Sequence, residues 1–358
     1  MVAVSDGTME RPRRDRLSRA RALHGGLALV LVLVSVASLT VGATGVSLGG
    51  VLGKLASGEA LSRMERVVLL DIRLPRLAMG LCVGAALAIS GAVMQGLFRN
   101  PLADPGIVGV GAGAGLGAIL AIVLGSFLPA GLLAMAGGHL VPLAAFLGGW
   151  GTTLLLYRVS TRHGRTSVAT MLLAGIALAA LAGAVSGILV YLADDQQLRD
   201  LTFWGLGSLA GASWTKLSAA APIILIAIGG AALMGRGLNA LALGEATAAH
   251  IGIPVQRLKN AAILAVAAAT GAAVAVSGGI GFVGIVVPHL LRLASGPDHR
   301  ALLLNSALLG ATLLVGADMI ARSLIAPAEL PIGIVTAVLG APVFLWILLR
   351  QRGALVDF

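Results

Sequence analysis

Ten apolar runs, each separated from the next by a short polar or glycine-rich segment, fill most of the 358-residue chain. They cover about 27–46, 74–97, 106–124, 139–157, 168–192, 217–235, 260–278, 281–294, 301–320 and 332–349. Most approach the roughly 20 apolar residues that an α-helix needs to cross the hydrocarbon layer. The pattern predicts an all-α polytopic membrane protein with ten transmembrane helices. The eighth run is short and holds Pro288 and His289, so a bent or broken helix is expected there. Residues 1–22 read as a cytoplasmic Arg-rich tail, and 23–358 as a single ten-helix transmembrane domain. The first run is too long for the apolar core of a signal peptide, and no A-x-A site closes it, so it reads as a span.

Composition narrows the class. Hydrophobic residues make up 58% and charged residues 11%, with a mean hydropathy of +0.98. Soluble domains carry roughly 25% charged residues, so a soluble enzyme and a disordered chain are both excluded. Aromatics at 4% are too few for the girdles of a membrane β-barrel. The single cysteine, Cys82, lies in an apolar run and permits no intramolecular disulfide.

The net charge of +10 is a matter of sidedness and not of nucleic acid, because no soluble domain carries a basic face. With ten spans and both termini in the cytoplasm, the inner segments hold 17 of the 25 basic residues and the outer ones 8 (25 − 17). That skew follows the positive-inside bias.

Gly84-Ala-Ala-Leu-Ala-Ile-Ser-Gly91 matches Gly271-Ala-Ala-Val-Ala-Val-Ser-Gly278 at an offset of 187 (271 − 84), and Pro101 matches Pro288 at the same offset. The copies fall in spans 2 and 7, which cross in opposite directions. An inverted repeat of spans 2–5 and 7–10 is expected, an arrangement common in transporters. The run Gly109-x-Gly111-x-Gly113-x-Gly115-x-Gly117 offers small-xxx-small pairs for close helix packing. It lacks the third glycine of G-x-G-x-x-G, and Gly53-Lys54 is followed by Leu55, so no phosphate-binding loop is present. Any use of ATP needs a partner chain.

Several stretches resemble the permease subunits of bacterial ABC importers for iron–siderophore, haem and cobalamin. They are Arg73-Leu-Pro-Arg76, Ser90-Gly-Ala-Val-Met-Gln-Gly96, Asn100-Pro-Leu-Ala-Asp-Pro-Gly106, Leu243-Gly-Glu-Ala246 through Gly252-Ile-Pro254, Gly281-Phe-Val-Gly-Ile-Val-Val-Pro-His289, and Glu329-Leu-Pro-Ile-Gly333 with Gly340-Ala-Pro342. The likeness covers about residues 70–350. It implies a homodimer in the bacterial cytoplasmic (inner) membrane, two ATP-binding subunits, a periplasmic substrate-binding protein, and no cofactor on this chain, ATP being bound by the partner.

The resemblance also implies site roles. Arg73, Arg76 and Arg322 would dock glutamates of the binding protein, a task that suits the guanidinium fork; from the residues alone, Arg73 and Arg76 equally read as interfacial snorkelling side chains. The segment 237–258 would couple to the ATPase through Leu243, Gly244, Glu245, His250, Gly252 and Pro254. Its spacing reads as a short helix, a glycine break, and a further turn begun at the proline. Asn100, Pro101 and Leu102 would form part of a cytoplasmic gate, with Thr166 and Ser167 as a second element. His289 reads as a polar group for carbonyls freed by Pro288, not as a haem ligand, and Asp318 and Glu329 as packing or interfacial charges. The segment from Asp194 to Leu209 looks more like haem permeases than cobalamin ones. The chain reads as a transport subunit and not as an enzyme, since no Ser/His or Asp pair stands at catalytic spacing within a span. The alternative class is an ion-coupled secondary transporter, which would carry acidic residues at span centres; these spans lack them.

Overall fold

The computed structural model describes residues 10–41, 47–162 and 165–355. Its helices are α1 (Glu10–Thr40), α2 (Leu48–Ala56), α3 (Arg63–Arg66), α4 (Leu74–Phe98), α5 (Val110–Leu124), α6 (Ala130–Ala136), α7 (Leu140–Ser160) and α8 (Val168–Leu192). They continue as α9 (Asp195–Leu206), α10 (Trp214–Leu233), α11 (Gly235–Ala242), α12 (Glu245–His250), α13 (Val255–Ser277), α14 (Val283–Ser295), α15 (His299–Ser323) and α16 (Ile332–Leu355). Among the described residues nine helices are long and apolar enough to cross a membrane, and the short apolar α14 makes a tenth. Every expected span has its helix. Residues 42–46 of the first span, and 1–9 of the tail, lie outside the described residues. From Glu10 the Arg-rich segment is helical and continuous with the first span. The only strands among the described residues are a two-residue hairpin, Thr161–Arg162 (β1) with Arg165–Thr166 (β2).

Helix α4 is the central column, buried almost continuously from Val83 to Phe98. In lipid there is no hydrophobic drive between helices, so contact depends on how closely backbones approach. A Cβ at Gly84 would overlap the Gly310 carbonyl of α15, and one at Gly91 would overlap the Gly284 carbonyl of α14. The same device joins α5 to α7, where Gly113 meets Gly148 and Gly117 meets Ala144, while Gly111 and Gly115 face open space.

The two repeat-bearing helices run in opposite senses. The last turn of α4 meets α11, where Gly96 faces Leu238, and α11 meets the start of α13, where Gly237 faces Leu258. At the other end Gly80 faces Leu209, and Ser208 N–H donates to the carbonyl of Ser277 at the end of α13. The opposed directions are those of an inverted repeat. The octapeptide register is different: Gly91 lies within α4, whereas Gly278 lies past the end of α13. Pro101 lies beyond α4 and Pro288 inside α14. The offset of 187 therefore matches two small-residue stretches at different depths.

Of the two expected outcomes at Pro288, a break is not seen: α14 is short but runs unbroken through it to Ser295. Proline removes the N–H that would bond the carbonyl four residues back, here that of Gly284. Gln95 Nε2 of α4 donates to that oxygen at 3.4 Å and to Ile285 O at 3.2 Å. Gln95 thus serves the freed carbonyl from another helix, and His289 is buried at the next position.

Candidate functional site

The predicted residues gather into two polar clusters at opposite ends of the bundle. At one end Arg76, in the first turn of α4, sends Nε to Asp318 at 3.0 and 3.1 Å and Nη2 to the same carboxylate at 2.8 Å. Its Nη1 and Nη2 reach Glu329 at 2.8 and 2.9 Å. The fork geometry of guanidinium suits such paired carboxylate contacts. One turn after Asp318, Arg322 lies with Nε 3.6 Å from it, and Nη2 donates to Ser38 O at 2.7 Å and Ser38 Oγ at 2.8 Å. Arg73 Nη1 donates to Leu39 O.

The three arginines predicted to act together thus do converge, with α1, α4, α15 and the Glu329 loop tied into one network. All three are buried, at 5%, 8% and 8% exposure, as is Asp318 at 3%. The side chain of Glu329 is 36% exposed. Asp318 and Glu329, read from sequence as packing or interfacial charges, are the partners of Arg76. Burial of these charges is sustainable because they are paired and hydrogen-bonded.

At the opposite end the chain folds as α11, a glycine turn, α12, a second glycine turn, and α13. Gly244 has φ +107° and Gly252 φ +85°, conformations that a side chain disfavours. Pro254 precedes the first residue of α13, where its missing N–H costs nothing. Leu243 and Ile251 are exposed at 69% and 61%. His250 is exposed too, while Ala248 is fully buried and seats α12 on the bundle. The result is a short helical elbow between two glycine turns.

The gate residues lie at this same end. Arg99 caps α4 in the left-handed conformation, and Asn100 Oδ1 accepts from Leu102 N–H at 2.9 Å, closing a turn around Pro101. Ser167 caps α8, its Oγ accepting from Thr170 N–H at 3.3 Å. Thr166 is buried and held at several points. Its N–H donates to Gln256 Oε1 at 3.1 Å, Gln256 Nε2 donates to its hydroxyl at 2.7 Å, and Lys259 Nζ donates to its carbonyl at 3.0 Å. Lys259 also meets Glu245 at 2.7 Å.

Lys259 and Gln256 were not singled out by sequence. Lys259 is one of three lysines in the chain, and it sits four residues inside a helix that crosses the membrane, a place where charge needs a reason. Two acids outside the spans at this end are perturbed. Burial holds Asp104 above the usual carboxylate range, partly offset by the Gly106 N–H. For Asp298, burial is outweighed by hydrogen bonds from Asn239 and Arg300 N–H, which leave it below that range. Among the described residues no group of three or more His, Cys, Asp or Glu is placed to hold a metal ion.

Comparison with known proteins agrees along the whole bundle. The hemin transport system permease protein HmuU of Yersinia pestis is 46% identical over 332 residues, 93% of this chain and 96% of its own length. The vitamin B12 import system permease protein BtuC of Klebsiella pneumoniae is 41% identical over 335 residues, 94% and 96% of the two chains. A solved metal-chelate type ABC transporter in an inward-facing conformation superposes with a TM-score of 0.80 at 34% identity, covering 92% of this chain and 99% of that one. Residues 29–350 match the FecCD transport family, and the chain belongs to it.

Proposed function

We propose that this FecCD-family protein is the membrane-spanning permease subunit of an ATP-driven importer and that its cargo is an iron chelate, haem before siderophore or cobalamin. The reading rests on likeness to HmuU over almost the full length of both chains, together with a charged cluster at one end and an elbow at the other. The chain does no covalent chemistry; ATP is bound and hydrolysed by a separate subunit. Two copies form the pathway at their shared axis, and each elbow seats one ATP-binding subunit in the cytoplasm. Both termini then lie in the cytoplasm of a bacterial inner membrane, as the positive-inside bias requires. The exposed Leu243 and Ile251 flanking α12 are the apolar contacts, and Glu245, Gly252 and Pro254 fix the elbow's shape.

The arginine cluster faces the periplasm and docks the binding protein. Its geometry sets the manner of docking. Four of the five N–H donors of Arg76 already serve Asp318 and Glu329, and a newcomer's carboxylate needs a pair of them to be gripped as a fork. A carboxylate of the binding protein therefore enters by exchange with Glu329, the more exposed partner.

Uptake by sealed proteoliposomes tests the reading. The chain is reconstituted with an ATP-binding subunit and a binding protein of the same system, and haem, ferric siderophore and cobalamin are offered in turn. ATP-dependent accumulation of haem above the other two is expected. Preference for cobalamin would move the chain beside BtuC. Uptake by the chain alone on an ion gradient would overturn the importer reading.

A further inference from the structure

We infer that Lys259 is a positioning residue that carries motion of the ATPase-facing elbow to the head of α8, where the proposed gate lies. The inference rests on reading α12 as the contact with the ATP-binding subunit.

Lys259 is 4% exposed. Its ammonium has three donors, of which one reaches Glu245 Oε1 at 2.7 Å and another Thr166 O at 3.0 Å. These acceptors belong to two different moving parts. Glu245 is the first residue of α12, six residues long and bounded by Gly244 and Gly252, both at positive φ. Thr166 is the last residue of the β1–β2 hairpin, joined to α8 through the capping residue Ser167. A displacement of α12 about its glycine turns therefore pulls on Lys259, and through it on the strand that leads into α8.

The tie is directional and short. Charge-assisted hydrogen bonds of this length are the strong kind, and the lysine's own burial gives its ammonium little water to turn to if it lets go of either acceptor. Gln256, one turn before Lys259, grips Thr166 by both its amide and its hydroxyl. The hairpin is thus anchored to the first turn of α13, and the Lys259–Glu245 ion pair extends that anchor across the turn at 251–254 to the head of α12. Stability alone does not call for this arrangement, since an ion pair with one half-exposed partner adds little, and a well-packed apolar side chain would fill the lysine's place as well. A link between two parts that must move together does.

The test uses the complete reconstituted complex, with ATP hydrolysis and cargo uptake measured in the same vesicles. The relay predicts that Lys259→Met retains assembly with the ATP-binding subunit and its hydrolysis, while uptake per ATP falls tenfold or more. Lys259→Arg restores most of it. Lys259→Met combined with Glu245→Gln is no worse in uptake per ATP than Lys259→Met alone, because both cut one tie. An unchanged ratio in Lys259→Met, or additive losses in the pair, overturns the relay. Should Lys259→Met fail to assemble, the ratio is read in Gln256→Ala, which loosens Thr166 and leaves the ion pair in place; a severalfold fall is expected, and an unchanged ratio again overturns it. Absence of ATP-driven uptake in the unaltered complex sinks the importer reading instead, and the relay with it.

Discussion

The two ends of this bundle solve the same problem, a cation buried beside a helix end, in opposite ways. At the Arg76 end three arginines and two carboxylates share a network that joins α1, α4, α15 and the Glu329 loop. Removing one strand of that network leaves others in place. At the elbow end a single lysine joins a half-exposed glutamate to one carbonyl, and the part it holds is flanked by glycine turns. A redundant network resists displacement and acts as a brace. A single tie between hinged parts transmits displacement. On the proposed function, the brace lies where the binding protein docks and the hinged tie where the ATP-binding subunit pulls.

The largest effect should come from breaking the brace at its centre. Arg76→Met leaves Asp318, 3% exposed, with only the more distant Arg322 for charge, and the loss of one partner from a buried pair costs roughly 3–5 kcal/mol. Chemical unfolding in detergent checks this. The double variant Arg76→Met with Asp318→Leu should recover most of the loss, because no unpaired charge is then left in the interior. Loss of less than about 1 kcal/mol in the single variant would place the pair among surface ion pairs and remove the distinction between the two ends.

How far the sequence reaches is visible in these same residues. The spans were legible because twenty-residue apolar runs have a single cause in a chain of this composition, and even α14 was found by its apolarity. Arg73, Arg76 and Arg322 were expected on one side of the membrane, and they are brought together. What the sequence did not show is the pairing: Arg76 and Asp318 are separated by 242 positions, and nothing in local spacing links them. Pro288 misled for a related reason, since the residue that makes it tolerable, Gln95, comes from another helix. Lys259 falls just before the apolar run that starts near 260, and its burial and partners come from segments that local spacing does not link to it. Local pattern determines which segments enter the membrane; polar contacts between distant segments determine what they do there.

A smaller effect should come from straining the elbow at its first turn. Gly244, at φ +107° and ψ +152°, occupies a region that side chains avoid, at a cost of about 1–3 kcal/mol. Gly244→Ala should leave the global unfolding midpoint of the bundle nearly unchanged while hastening amide exchange through α12, since the strain is local to the hinge. Equal protection of α12 in the variant and the unaltered protein would mean that the elbow is not an independently moving part. The contrast with the Arg76 end would then be one of composition only.

The smallest change in stability, and the sharpest test of the brace as a docking surface, is Glu329→Gln. Its side chain is 36% exposed, so its ion pair with Arg76 belongs to the weak class, on the order of 0–1 kcal/mol. Asp318 remains to satisfy the buried face of the guanidinium. Unfolding should therefore shift little. Docking should respond the other way: with the competing carboxylate neutralised, a glutamate of the binding protein meets an arginine whose outer donors are less firmly held, and affinity should rise severalfold, most strongly at low salt where charge attraction is least screened. Titration of the binding protein onto the permease in nanodiscs reads this directly. If Glu329→Gln weakens docking, Glu329 is part of the surface that the partner recognises and not a carboxylate that it displaces, and the exchange at Arg76 does not occur.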